Sequence, residues 1–351
     1  MSSPPITTSE KKPLYEASTQ FKNWRFSAEQ LTHIRNSLNQ AAVAVIRNTF
    51  EADEPGSSTN VSFLTPDEEH LLVKLYITKV TQLCGFFRFP EEVEATSVSY
   101  LKRFYLKNTV MDWHPKNVMQ VCFSSLTTLF LATKTTNNPI SLETYTTHIP
   151  KTEPSDVLDL EFLVAQSLGF EFAVWHAHRA LWGIWLDIQD LPDSPAKPPS
   201  EVYEAALNYV RASRLTDAEL IYTPSQIALA AFSLAAPVIS IAWSKTKAPS
   251  ESFALDSLLE DIRSLITSHG QNPNVDAVRD VDRRLKLCKN PEKVVGSKAY
   301  HMKKAEDEKK AEERRSKKAI EIQNAVGNGD PFGNELTKPR VGLVDYDDDD
   351  D

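Results

Sequence analysis

This sequence predicts an all-helical chain, built as two tandem sets of five helices with further helices at both ends. Three observations carry that expectation. Apolar residues recur at three- and four-residue spacing along most of the 351 positions, and no strand pattern interrupts them. Helix starts are marked by capping residues and first-turn prolines, as in Ser27-x-x-Gln30 and Thr65-Pro66-Asp67-Glu68. Only 10 glycines are present, where a doubly wound α/β enzyme uses more at its tight turns and phosphate loops.

Residues 1–14 read as a disordered polar leader without the apolar core of a secretory signal. Residues 15–62 hold an N-terminal helix and a loop. That helix spans 27–50, with Ser27 as cap, Gln30 at the capping-box position and a stripe of Leu31, Ile34, Leu38, Ala41, Ala42 and Val45. The loop is the polar run 51–60.

The first set occupies 63–174. Its helices are expected at 65–87, 91–107, 114–134, 141–148 and 154–169, the last ending on Gly169. In the third of them Leu126, Leu129, Leu131 and Ala132 read as core, and so do Leu163 and Leu168 in the fifth. Small residues in the third, including Ser124, Ser125 and Thr128, fit a helix approached closely from several sides. The second set occupies 175–290, with helices at 175–188, 200–216 (Ser200 as cap), 223–243, 255–267 and 274–287 and a proline-rich connector after the first. Residues 291–326 form a charged helix and 327–351 an acidic tail, expected to be disordered.

The net charge is -9, to which Asp345 and Asp347 to Asp351 contribute heavily. That balance does not invite nucleic acid or an anionic membrane as main partner. The apolar run 227–243 is interrupted by serines and Pro237 and reads as a buried helix, not a membrane span. Cys84, Cys122 and Cys288 are far apart and odd in number, so neither a disulfide framework nor a zinc spacing follows.

No catalytic constellation emerges. There is no Gly-rich phosphate loop, HExxH, GxSxG or CxxC. His176 and His178 are two apart and would face different sides of a helix, so no shared metal is expected. Acidic pairs such as Asp67-Glu68 and Glu91-Glu92 sit at helix starts, where exposed amides favour them. No cofactor is called for.

Several segments taken in order resemble the cyclin H family. They are Tyr15 with Phe21-Lys22-Asn23-Trp24-Arg25-Phe26-Ser27, then Phe63-Leu64-Thr65-Pro66-Asp67-Glu68-Glu69, then Tyr100-Leu101-Lys102-Arg103-Phe104-Tyr105-Leu106-Lys107-Asn108 with Met111 and His114-Pro115. Glu161-Phe162-Leu163-Val164 with Leu168-Gly169-Phe170, and Asp217-Ala218 with residues 220–228, complete the match over roughly residues 15–290. The resemblance implies that the two sets are cyclin boxes and that the chain is a non-catalytic nuclear activator of a cyclin-dependent kinase. It implies as partners that kinase, a RING-finger assembly factor and the TFIIH core, and as output phosphorylation of the RNA polymerase II C-terminal repeats.

By the same resemblance, Lys134 late in the third helix and Glu161 in the fifth contact the kinase, with Lys102, Arg103 and Phe104 as further kinase-binding residues. Read without it, Lys134 is a favourable C-terminal lysine and Glu161 an exposed acid. One departure stands out: family members follow this lysine with acids, and here the run is Lys134-Thr135-Thr136-Asn137-Asn138. The rival expectation is a cyclin-fold transcription scaffold that bridges nucleic acid and polymerase. It needs a basic face, which the even spread of Lys and Arg does not supply.

Overall fold

A computed structural model describes residues 13–115, 123–149, 154–190, 198–247, 252–294 and 296–327. The expected leader as far as 12, Cys122, most of the connector (191–197) and the acidic tail from 328 lie outside the described residues, as do the side chains of Ser124 and Ser125. Every regular element among the described residues is helical.

Capping chemistry sets the first elements. Ser18 caps the short α1 (Thr19–Asn23) by accepting from the Phe21 N–H at 3.2 Å. Helix α2 (Ala28–Asp53) starts in a full capping box: the Gln30 N–H donates to Ser27 Oγ, and the Ser27 N–H donates to Gln30 Oε1 at 2.8 Å. Thr65 and Glu68 form the same box before α3 (Pro66–Phe87), with proline at its first position. Pro90 precedes α4 (Glu91–Phe104), which is buried on all sides from Ala95 to its end. Around it pack α3 and α5 (Phe123–Thr135). Ser141 caps α6 (Leu142–Thr147), and α7 (Pro154–Leu158) and α8 (Glu161–Ser167) close the set.

One expectation changes here, while the expected start of the third helix runs into residues 116–122, which lie outside the described residues; His114 and Pro115 before them are buried in a turn region, and the His114 ring bonds to Asp282. The fifth helix is broken after Leu158, which makes Glu161 the first residue of a separate helix. The break contains neither Gly nor Pro, so no local signal announces it.

The second set comprises α9 (Ala177–Gln189), α10 (Ser200–Ser213), the single turn α11 (Ala218–Ile221), α12 (Pro224–Ala235), α13 (Pro237–Lys247) and α14 (Ser252–His269). Its core is α12, where Ala228, Ala230, Ala231 and Phe232 are fully buried. Those small side chains let α9, α10 and α14 approach closely. Pro199, not Ser200, sits at the start of α10, and no side chain caps it. The expected helix over 223–243 is two helices, because Pro237 has no N–H for the ladder and the chain kinks at Ala236.

Helix α15 (Val275–Leu285) forms where the fifth helix of the second set is expected, but it does not join that set. Its Val278, Val281 and Leu285 belong to the core of the first set, where α15 packs against α3. The second set nonetheless has five substantial helices, because the kink at Pro237 supplies the extra one.

The chain divides into two compact units after Asn290. The second unit contains α16 (Lys298–Gly327), whose described side chains are exposed almost throughout. Lys310 pairs with Glu306 at 3.0 Å as the four-residue spacing predicts; Lys317 makes no such pair with Glu313. No helix among the described residues is long and apolar enough to cross a membrane.

Candidate functional site

The last turn of α5 carries Lys134, and the first position of α8 carries Glu161. Their side chains meet: Lys134 Nζ donates to Glu161 Oε1. The ammonium also lies 5.0 Å over the Phe130 ring. Lys134 is 42% exposed and Glu161 20%, so the pair sits at the surface with one side open to a partner.

The run after Lys134 has a structural reason. Asn137 adopts φ 58°, and the Asn138 N–H donates back to Thr133 O at 2.9 Å. That is a left-handed helix stop, a position asparagine tolerates and most side chains do not. Helix termination therefore takes the place of the acids seen in the family pattern.

Apolar groups border Glu161. Phe162 is 69% exposed and Phe170 55%, and their rings meet edge-on at 6.1 Å. Leu158 is exposed on the preceding turn. A Schellman stop aims Phe170: the Gly169 N–H donates to Gln166 O at 2.8 Å and the Phe170 N–H to Ala165 O at 2.9 Å. Gly169 takes φ 59° and Phe170 follows at φ 58°. An aromatic residue held left-handed costs on the order of 1 kcal/mol, and here the result is an outward ring. Beneath this surface Leu126, Leu129, Ala132 and Leu168 are fully buried, and Leu163 packs against them half-buried.

Lys102, Arg103 and Phe104 do not belong to that surface, which corrects the sequence expectation. All three are buried at the end of α4. Lys102 Nζ donates to Thr216 O at 2.7 Å and pairs with Glu219 at 2.8 Å. The Arg103 guanidinium donates to Glu171 O at 3.2 Å and stacks 4.9 Å over the Trp24 ring. Phe104 has no exposure and meets Tyr105 edge-on. Burial penalises the charge on Arg103 and lowers its pKa, while Glu219 opposes the shift. These residues join the two helical sets and the N-terminal segment.

Other ion pairs run along the same seam. Arg35 grips Asp217 through two bonds of 2.7 Å, and Arg214 reaches Glu91 at 2.6 Å and Glu94 at 2.9 Å. Arg211 also pairs with Glu91, and Ser99 donates to Glu219. Phe26 N–H donates to Leu220 O at 2.8 Å, which ties the segment before α2 to the second set.

His176 and His178 correct a second expectation. Their rings stack with centroids 5.3 Å apart, because His176 is the extended residue before α9 and not part of the helix. Burial drives both pKa values down, to about 4 for His178, and His176 bonds to Thr96 at 2.8 Å. Among the described residues, no group of three or more His, Cys, Asp or Glu side chains is placed to hold a metal ion. The arrangement at Lys134 and Glu161 places a surface ion pair beside two protruding aromatic rings.

Comparison with known proteins fits that geometry. Residues 176–268 match the family model described as the cyclin C-terminal domain. Two tandem helical sets, each wrapped around a buried central helix, and that match define a cyclin-fold protein. At 33% identity over 228 residues, a cyclin-H relative from Dictyostelium discoideum aligns with 63% of this chain and 75% of its own length. The chain belongs to the cyclin H family. Among solved structures, a chain of the Chaetomium thermophilum CAK complex bound to ATP-gamma-S is 27% identical with a TM-score of 0.71, covering 84% of this chain and 94% of that one. A chain of the yeast TFIIK (Kin28/Ccl1/Tfb3) complex is 28% identical with a TM-score of 0.59, covering 72% and 100%.

The outward aim of Phe162 and Phe170 was not part of the sequence expectation. Phe162 stands two residues before the buried Val164, which places it on the opposite side of α8 and turns it outward. A signal was available at Gly169, since a Schellman glycine redirects the residue after it.

Proposed function

We propose that this chain is the regulatory cyclin of a CDK-activating kinase module of the TFIIH type. It binds a cyclin-dependent kinase through the face built from Lys134, Glu161, Phe162 and Phe170 and supplies no catalytic group of its own. The observation that carries the reading is the surface ion pair of Lys134 and Glu161 beside two exposed phenylalanines, in a member of the cyclin H family. The related solved structures, a CAK complex bound to a nucleotide analogue and a Kin28/Ccl1/Tfb3 complex, support a kinase and a RING-finger assembly factor as partners. The TFIIH core and a nuclear setting belong to the same proposal.

The mechanism is a population shift. A cyclin that binds the active kinase conformation more tightly than the inactive one displaces the equilibrium by that difference in affinity. The rings supply most of the binding energy once desolvated, and the charged pair fixes register. The kinase brings ATP and magnesium.

The test is binding of the purified chain to its kinase, with Phe162→Ala and Phe170→Ala beside the wild type. Each substitution weakens binding by roughly tenfold or more. It leaves the urea midpoint almost unchanged, because the rings are exposed. Unaltered kinase binding in both variants would move the interface elsewhere. Salt-sensitive DNA binding without kinase binding would instead favour the scaffold reading.

A further inference from the structure

Helix α9 carries a glycine that nothing inside the chain requires. Gly183 lies in the middle of the helix on its exposed side, a position where glycine is the least favourable residue apart from proline. It is not left-handed, and a Cβ there would meet nothing beyond the helix's own backbone within 4 Å. Neither backbone strain nor internal packing calls for it. The missing side chain leaves a notch in the helix surface.

The notch has apolar walls. Trp182 and Leu186, four residues apart on the same face, are exposed on either side of it. Tyr203 of α10 lies alongside, its ring centroid 5.4 Å from Trp182 and 5.6 Å from the half-buried Trp185. The groove stands on a firm base, because Leu181, Ile184 and Ile188 of the same helix are buried in the second core. Bare backbone between large apolar side chains is a surface on which another helix can pack closely.

Charge around the groove is one-sided. Glu201 and Glu204 share one side of α10, and Asp190 caps the C-terminus of α9. None of the three makes an ion pair among the described residues. The neighbouring guanidinium groups are already taken, Arg179 by Glu92 at 2.6 Å and Arg211 by Glu91 at 2.8 Å. On the flank of α9 that faces α13, Lys247 answers Asp187 at 2.8 Å. The connector 191–197 holds one acid and one base, Asp193 and Lys197, and adds no net charge. Such a rim suits a helix with basic flanks.

We propose that the α9–α10 groove centred on Gly183 docks a basic amphipathic helix of the RING-finger assembly factor, which seats an apolar side chain over the glycine between Trp182 and Leu186. The assignment rests on the proposed membership of a three-protein kinase module. Within that reading the kinase takes the face of the first helical set, and this separate surface of the second set serves the third subunit.

The full chain, the kinase and the assembly factor, each purified, test this through Gly183→Leu. A side chain there enters open space and improves the helix, so the variant should unfold at the same or a higher temperature than the wild type. Its affinity for the labelled assembly factor should nonetheless fall roughly tenfold or more, with kinase affinity unchanged. Glu201→Lys/Glu204→Lys should weaken the same contact several-fold at about 50 mM salt and far less near about 1 M. Undiminished assembly-factor binding by Gly183→Leu, or by the charge-reversed variant at low salt, overturns the proposal. A dimer of the chain that Gly183→Leu abolishes, seen by light scattering, would assign the groove to a second copy and overturn it too. A wild-type chain that binds the kinase but not the assembly factor overturns this proposal alone, whereas one that binds neither overturns the regulatory reading beneath it as well.

Discussion

Burial alone would hold the proton on Asp217 above the usual carboxylate range. The two-pronged contact from Arg35 reverses this, and the group titrates at about 2. The folded value lies below the unfolded one of about 3.9, so the pair stabilises the fold above pH 4 and that contribution is lost as pH falls towards 2; its size is about 2 kcal/mol. His70 nearby behaves in the same direction for a different reason. Burial, with Arg35 and Lys102 adding repulsion, lowers it to about 4 despite the opposing charge of Asp217. The unfolded chain then takes up a proton between about pH 6.5 and 4 that the folded chain refuses, so stability declines across that window. Urea midpoints measured from pH 7 to 4 should fall, and His70→Gln should reduce the steepness by about one proton's share. His176 and His178, also depressed, add to the slope.

At the scale of single elements, the caps and the α15 contact make separate predictions. Ser27→Ala and Thr65→Ala each remove a capping oxygen and should each cost about 1 kcal/mol in urea unfolding. Val281 lies in α15 yet is buried in the first core. Val281→Ala should therefore cost about 2 kcal/mol and speed amide exchange in α3 more than in α12. The reverse pattern would return α15 to the second set. These elements also show what a sequence discloses. Ser27, Thr65 and Thr223 announce their helices because capping is local chemistry written within four residues. The packing of α15 is not local: its apolar stripe fits either core, and only the path of the chain decides. Lys134 and Glu161 were legible through resemblance and do meet. Lys102, Arg103 and Phe104 lay in an equally recognisable run, but resemblance carries no exposure, and their partners Thr216, Glu219 and Trp24 are distant in sequence.

Within the first unit, several ion pairs cross between the two helical sets. Lys102 with Glu219, Arg35 with Asp217, and Arg214 with Glu91 and Glu94 span the seam. A mutation that removes one partner leaves a desolvated charge behind, which is far worse than losing an exposed pair. Lys102→Ala should cost about 3 kcal/mol, while Arg279→Ala, in a pair exposed on both sides, should cost under about 0.5 kcal/mol. Thermal unfolding of the two variants side by side makes the comparison. A rigid seam matters to the proposed role, because a docking face transmits a preference for one kinase conformation only if it does not yield itself.

The most direct test of the account measures phosphorylation of the RNA polymerase II C-terminal repeat by a cyclin-dependent kinase co-expressed with this chain and the assembly factor. Lys134→Ala/Glu161→Ala and Phe170→Ala are compared with the wild type. The account predicts strong activation by the wild type and a large loss in both variants, with unchanged thermal stability of the isolated chain. Full activation by both variants would contradict the docking face, and no activation by the wild type would contradict the regulatory role itself.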